Sequence, residues 1–343
     1  MKISTMLTYN GDPRSAADQV IAWEKAGLDT VWVAEAYGFD SPTLMGYLAA
    51  KTETIEIGSA ILNIYSRTPG ALAQTAAGLD NVSGGRAVLG LGASGPQVIE
   101  GFHGVAYERP LIRTREVVEV IRMALRREPL EYAGRTITLP LPADQGLGLG
   151  KPLKLLTRPE RAALPIWIAA LGAKNVELTA EIADGWIPHL FYPEKAHQTW
   201  GASLAAGSAR RSTDLGPLQI TAGGICAIGE DVKGVLDLVR PMVALYVGGM
   251  GARDKNFYNQ LVCEYGFEAE AKQIQDLYLS GRKDESAAKV PDELVEAISL
   301  VGPESYVRER IEAFREAGVT NLQVIPATPD PTALISRMRE LAG

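Results

Sequence analysis

The side chains able to ligate, attack or move protons are few. The chain has three histidines, His103, His189 and His197, and two cysteines, Cys226 and Cys263. The histidine spacing fits no common zinc motif, so no metal site is predicted. No paired carboxylates suggest glycoside hydrolysis, and no Asp/His cluster suggests a metal hydrolase. No lysine sits inside an apolar run as a Schiff-base candidate, although Lys174 stands just beyond one. What recurs is a pattern of position, in which small, amide and aromatic residues follow short β-branched runs. In chain order these are Tyr9 and Asn10; Glu35, Ala36 and Tyr37; Asn63 and Tyr65; Gly92, Ala93, Ser94 and Gly95; Leu171, Gly172 and Lys174; His189; and Gly229 and Glu230. Such a set suits a planar cofactor that carries its own chemistry while the protein holds it.

Each position admits a functional and an ordinary reading. Glu35 lies just past a buried run, where a carboxylate is partly desolvated; a salt bridge to a neighbouring basic residue explains it equally well. His103, in Glu100-Gly101-Phe102-His103-Gly104, and His189 are candidate proton donors; as surface or structural histidines they need no function. Ile168 to Asn175 passes from strand to helix, where free N–H groups and Lys174 would make an anion site. An ordinary tight turn is the alternative. Gly90-Leu91-Gly92-Ala93-Ser94-Gly95 lacks the spacing of a dinucleotide fingerprint. It suggests either close backbone approach to a ligand or a flexible loop. Ser83-Gly84-Gly85-Arg86 reads as a helix-end turn.

The elements that would position these residues alternate. Strand-like runs fall at Ile3–Leu7, Thr30–Val33, Ile55–Ile61, Ala87–Leu91, Pro165–Ala169, Gly185–Pro188, Gln219–Ala227 and Asn321–Ile325. Amphipathic helices are predicted at Ala16–Ala26, Thr43–Thr52 with Ser41 as N-cap, Thr114–Leu125, Lys174–Ala183 and Glu304–Ala317. Eight such runs with helices between them predict a (β/α)8 TIM barrel, with insertions after several strands and the chemistry at the strands' carboxyl ends. The regularity breaks at about 139–164, a Pro- and Gly-rich loop; at 191–216, with an extra short helix at best; and at 248–300, with added helices. Insertions after strands are expected to wall a pocket, and residues 1–343 read as one domain.

Composition narrows the classes. A length of 343 residues permits a large core without disulfide or metal staples. With 34 Lys+Arg against 41 Asp+Glu, the formal charge of −7 argues against nucleic-acid or polybasic membrane binding. The longest apolar run, Ala162–Ala173, is too short to span a bilayer. Two cysteines make no disulfide framework and the first residues lack a signal-peptide core, so a cytoplasmic protein is expected.

Taken together, several stretches resemble the bacterial luciferase-like superfamily, and within it the branch using the deazaflavin coenzyme F420. They are Leu79-Asp80-Asn81-Val82-Ser83-Gly84-Gly85-Arg86-Ala87-Val88-Leu89-Gly90-Leu91-Gly92, then Ala93-Ser94-Gly95-Pro96-Gln97-Val98-Ile99-Glu100-Gly101, then Glu108-Arg109-Pro110-Leu111 running into Arg115-Glu116. Ile166-Trp167-Ile168-Ala169-Ala170-Leu171-Gly172 and Ala183-Asp184-Gly185-Trp186 complete them. The resemblance implies a barrel, usually dimeric, with the deazaflavin over the strand ends. It places a non-prolyl cis peptide between Ala60 and Ile61 behind the ring, the ring-edge acid at Glu35, and further cofactor contacts at Asn63, Ala93 and Ser94. The phosphate-bearing tail maps to Leu171, Gly172, Lys174 and Asn175. One departure stands out. Where related sugar-phosphate dehydrogenases carry a catalytic histidine and a second acid, this chain has Ala36 and Gly95. A proton donor would come from His103, Glu100, Tyr37 or His189. The expected activity is hydride transfer between the deazaflavin and a small organic substrate. The rivals are an FMN-dependent monooxygenase on the same fold, a non-catalytic deazaflavin-binding protein, and a sugar-phosphate aldolase or isomerase barrel. The last is weakened by the missing in-strand lysine or base pair.

Overall fold

The structure is a computed structural model that describes residues 1–7 and 12–343. Tyr9 and Asn10 lie outside the described residues. Among the described residues twelve strands follow in chain order: β1 (Lys2–Leu7), β2 (Thr30–Val33), β3 (Glu56–Ser59), β4 (Leu62–Asn63), β5 (Ala87–Gly92), β6 (Tyr132–Ala133), β7 (Thr138–Leu139), β8 (Ile166–Ala169), β9 (Gly185–Ile187), β10 (Gln219–Ile228), β11 (Leu300–Gly302) and β12 (Asn321–Pro326). With β3 and β4 as one interrupted strand, eight parallel strands pair around a ring in the order β1, β2, β3/β4, β5, β8, β9, β10, β12. Pairing of β12 back to β1 closes it. This is the (β/α)8 barrel, and closure leaves no free edges in the ring.

The ring is closed by side chains within and helices outside. Inside, Trp32 and Trp167 tilt against each other at 5.1 Å. Val88 joins them, with Met6, Ala60 and Ile187 packed alongside. Outside, the helix Pro110–Leu125 buries Val117, Val118, Val120, Ile121, Ala124 and Leu125. Each larger aliphatic side chain among these contributes about 1.5–3 kcal/mol on burial.

The third strand differs from its expected form. It was expected to run unbroken through Ile55–Ile61, but pairing with β5 skips within it. Gly58 lies opposite Val88, yet Leu62 lies opposite Leu91. Four steps on one strand therefore match three on the other, a one-residue bulge at 59–61. The Ala60–Ile61 bond within it is cis. Ser59 seals the gap, its Oγ donating to the Gly90 carbonyl at 2.8 Å and accepting from the Gly90 N–H at 2.9 Å. A Cβ at Gly90 would lie 1.8 Å from the Ser59 carbonyl oxygen, and one at Gly92 would lie 2.9 Å from Ile61 Cγ1. These glycines admit the bulge and lie within β5, which corrects the reading of them as a flexible loop.

Three further differences have local causes. The helix Ser41–Lys51 is capped by Asp40, whose carboxylate accepts from the Thr43 N–H, and Ser41 is its first residue rather than its cap. The segment 191–216 holds a full helix, Pro193–Ser208, which is the crossover from β9 to β10 and not a short extra piece. The segment 139–164 follows the small β6–β7 hairpin and not a strand of the ring. It lies between the end of the helix Pro110–Leu125 and the start of β8, so both its ends sit at the barrel face opposite the strand exits. Arg161 fastens its far end to buried Asp80 and to the Ala87 carbonyl, where β5 begins. The stretch after β10 leaves from the mouth. It carries helices Arg240–Gly249, Phe257–Glu264, Glu268–Leu279, Lys283–Ala287 and Asp292–Ala297 before β11 rejoins β10. Among the described residues, no helix is long and apolar enough to cross a membrane.

Candidate active site

Glu35 leaves β2 at the mouth and is 7% exposed. Arg67, just beyond β4, grips both its oxygens, at 2.7 and 2.8 Å. The Ser41 N–H also donates to Glu35 Oε2. Arg67 reaches Asp40 too, so one guanidinium serves two carboxylates, and its pKa is raised first by the hydrogen bond to Glu35. The bidentate geometry fixes the carboxylate in direction and position. Glu35 thus meets the salt-bridge reading, and it ties the exit of β2 to the exit of β4.

Asn63 closes β4 and is buried. Its Oδ1 accepts from the N–H groups of Tyr65 and Ser66, at 3.1 and 2.6 Å. Its Nδ2 lies 3.1 Å from Nε2 of His103. His103 comes from the loop after β5 and meets the Phe102 ring edge-on. Between them β5 leaves the barrel through Ala93 and Ser94. Ser94 takes a left-handed φ of 57°, and its carbonyl accepts from the Tyr107 hydroxyl at 3.2 Å. Asn63, His103 and Ser94 therefore gather beside the bulge that holds Ala60 and Ile61.

His189 stands at the exit of β9. It lies under two rings from the stretch after β10, Tyr246 at 4.2 Å and Tyr258 at 5.6 Å. Burial pushes its pKa down to about 4, and its Nε2 is enclosed without a partner. Exposed Tyr37 pairs with Phe102 across the rim at 6.3 Å. Cys226 is fully buried and its thiol is pushed up to about 12 by that burial, so it offers no nucleophile.

After β8 the helix Ala173–Ile182 starts at Gly172 with no side-chain cap. The N–H groups of Ala173 and Lys174 are left for solvent or a ligand, while that of Asn175 turns back to the Gly172 carbonyl at 2.9 Å. The Trp200 indole N–H fixes the Leu171 carbonyl at 2.8 Å, and Asn175 Oδ1 is buried without a partner. Lys174 is 79% exposed and pairs with Glu177 at 2.9 Å, so its charge is already matched on its own helix. Phe257, from the stretch after β10, stands over Gly172. A cleft of about 380 Å³ opens elsewhere, at the exits of β10 and β12, lined by Asp231, Val235 and Thr328 among others. It lies across the ring from the bulge and contains none of the candidate residues. Among the described residues, no three His, Cys, Asp or Glu gather as a metal site.

Sequence reasoning missed Arg67 and the aromatic cover from 246–258. Arg67 could have been suspected, because a lone cation four residues past a strand exit faces the exit carrying Glu35. The cover has no such local signal.

The sequence profile of the luciferase-like monooxygenase family matches residues 1–321. The chain belongs to that family. A relative from Mycobacterium tuberculosis, provisionally named a coenzyme F420-dependent oxidoreductase, is 40% identical over 100% of this chain and 98% of its own. A 5,10-methylenetetrahydromethanopterin reductase of Archaeoglobus fulgidus is 29% identical over 89% of this chain and 87% of its own. Among solved structures, the coenzyme F420-dependent tetrahydromethanopterin reductase of Methanopyrus kandleri superposes with a TM-score of 0.80 at 23% identity, covering 98% of this chain and 96% of that one. An FMN complex of a Baeyer–Villiger monooxygenase from Pseudomonas putida shares the fold, with a TM-score of 0.64 at 18% identity, covering 100% of this chain and 96% of that one.

Proposed function

We propose that this protein transfers hydride between coenzyme F420 and a small organic substrate. The observation that carries the reading is full-length likeness, at 40% identity, to a relative named for that cofactor. The residues present fit the group. An uncapped helix start at Gly172 offers N–H groups to an anionic arm. The bulge at Ala60–Ile61, with Asn63, Ala93 and Ser94 beside it, offers a flat backbone surface for a ring. When bound, the deazaflavin supplies hydride exchange at a ring carbon.

The chain's own residues would hold and orient. Glu35 and Arg67 fix the edge of the mouth, and Leu171, Gly172 and Asn175 would receive the tail. Lys174, matched by Glu177, would contribute less to the tail than its charge suggests. Tyr37, Phe102, Tyr246 and Phe257 would exclude water from the reacting face.

Titration of the purified protein with F420 and with FMN, followed by fluorescence, tests the reading. Saturable F420 binding with weak or no FMN binding is the expected outcome. Tight FMN binding with none for F420 would transfer the protein to the monooxygenase reading. F420 binding without hydride exchange toward any substrate panel would leave a carrier.

A further inference from the structure

The Asn63 amide has one workable orientation. Its Oδ1 accepts two backbone N–H groups, from Tyr65 and Ser66. The flipped amide would set its own NH2 against both donors. Nδ2 is therefore the atom facing His103 Nε2 at 3.1 Å, and Nδ2 can only donate. Nε2 must present its lone pair, so the imidazole carries its proton on Nδ1. Among the described residues Nδ1 has no hydrogen-bond partner, and it is not among the enclosed polar atoms. It is open toward the mouth or solvent, beside the bulge.

We propose that Asn63 is a positioning residue that locks His103 as the Nδ1–H tautomer, and that His103 offers this N–H to a carbonyl oxygen of the substrate. This rests on the hydride-transfer reading and adds a substrate class to it, aldehydes or ketones. A carbonyl carbon that gains a hydride with its electron pair pushes the C=O π pair onto oxygen. A fixed N–H donor in a half-buried place stabilises that charge as it forms. The reduced deazaflavin is oxidised in the step, and solvent water protonates the alkoxide. The imidazole keeps its proton, because losing it from Nδ1 would leave an imidazolate. His103 is thus a hydrogen-bond donor and not the proton reservoir that its position alone suggests.

The chain holds only three histidines, which makes the test direct. Nitrogen NMR of histidine-labelled protein, assigned with His103→Phe, reads the tautomer without any cofactor. Protonated Nδ1 at His103 is expected. In Asn63→Asp, the carboxylate still accepts from Tyr65 and Ser66 but now faces Nε2 as an acceptor, so the proton moves to Nε2. Protonated Nε2 in the unaltered protein, or no change in Asn63→Asp, overturns the lock. Kinetics on a carbonyl panel of acetone, cyclohexanone and simple aldehydes supply the second arm. His103→Phe is expected to lower kcat/KM about 100-fold, and His103→Asn, which keeps a donor near the Nδ1 position, to regain about tenfold. Equal rates in all three proteins, or equal loss in both variants, overturn the role of the donor. A protein that binds the deazaflavin yet reduces no carbonyl overturns the substrate class. Absence of deazaflavin binding sinks the hydride reading while leaving the tautomer result standing.

Discussion

At the scale of residues, the pairs that hold the mouth are buried or nearly so, and breaking them is costly. In Arg67→Met, Glu35 stays enclosed with its guanidinium partner gone, and a loss of about 3–5 kcal/mol in urea unfolding is expected. A loss below about 1 kcal/mol would mean that the pair is solvated like a surface bridge. His189 gives a pH-dependent term. Burial holds it near 4 in the folded chain against an ordinary 6.5. The unfolded chain takes the proton first, so stability is complete above about 6.5 and falls as pH drops toward 4, by up to about 3 kcal/mol. His189→Phe is expected to flatten that part of the profile; parallel profiles for the two proteins would refute it. These residues were legible to different degrees. Glu35, Asn63 and His189 were visible as strand-exit residues, and His103 as a residue of the loop past one exit, because exit positions follow from strand ends. Their partners were not, because Arg67 and Glu35 lie 32 residues apart and Asn63 and His103 lie 40 apart.

At the scale of elements, all eight ring strands were readable as β-branched runs, since buried parallel strands are apolar on both faces. The helix Pro193–Ser208 was underestimated because its sequence is rich in Gly, Ala and Ser, with Trp200 as its one large buried side chain. β11 was missed because three residues carry no pattern. Glu116 pins the turn of the β6–β7 hairpin, whose first strand is also tied to Glu119 by the Tyr132 hydroxyl. Glu116 accepts from the N–H groups of Arg135 and Thr136 and from the Thr136 hydroxyl. Glu116→Ala should release the hairpin while leaving its own helix formed, at a cost of about 2–3 kcal/mol. Hydrogen exchange should then quicken at 132–139 and stay slow along Pro110–Leu125. Unchanged exchange at 135–136 would show that other contacts hold the turn. Gly90→Ala sets a Cβ against the Ser59 carbonyl and should cost about 3 kcal/mol or more, or prevent folding altogether.

At the scale of the whole molecule, the two long irregular segments serve opposite faces. The stretch after β10 covers the mouth, whereas 139–164 connects a helix to a strand at the other end. Pattern reading treated both as walls of one pocket because it had not yet assigned each segment to an αβ or a βα connection. The second segment is richly exposed, with Leu147 at 91% and Leu156 at 96%. Limited chymotrypsin digestion should therefore cut near 141–156 first. Arg161, clamped to Asp80, should keep the nicked chain folded. F420 affinity of the nicked protein is expected to equal that of the intact one. A large drop would place this segment at the cofactor after all.

The bulge also does something by simple odd-and-even counting. Val88 points into the barrel, so on β5 the even residues up to Gly92 share that side. Gly92 lies opposite Asn63, which turns Asn63 inward. Were the same residues paired one for one with no bulge, Leu62 would hold that register and Asn63 would face the surrounding helices. Ironing out the bulge with every residue kept would therefore exchange an amide for a leucyl group at the centre of the mouth, whereas deleting one of residues 59–61 would keep Asn63 opposite Gly92. The contact to His103 owes its existence to a miscount in one strand.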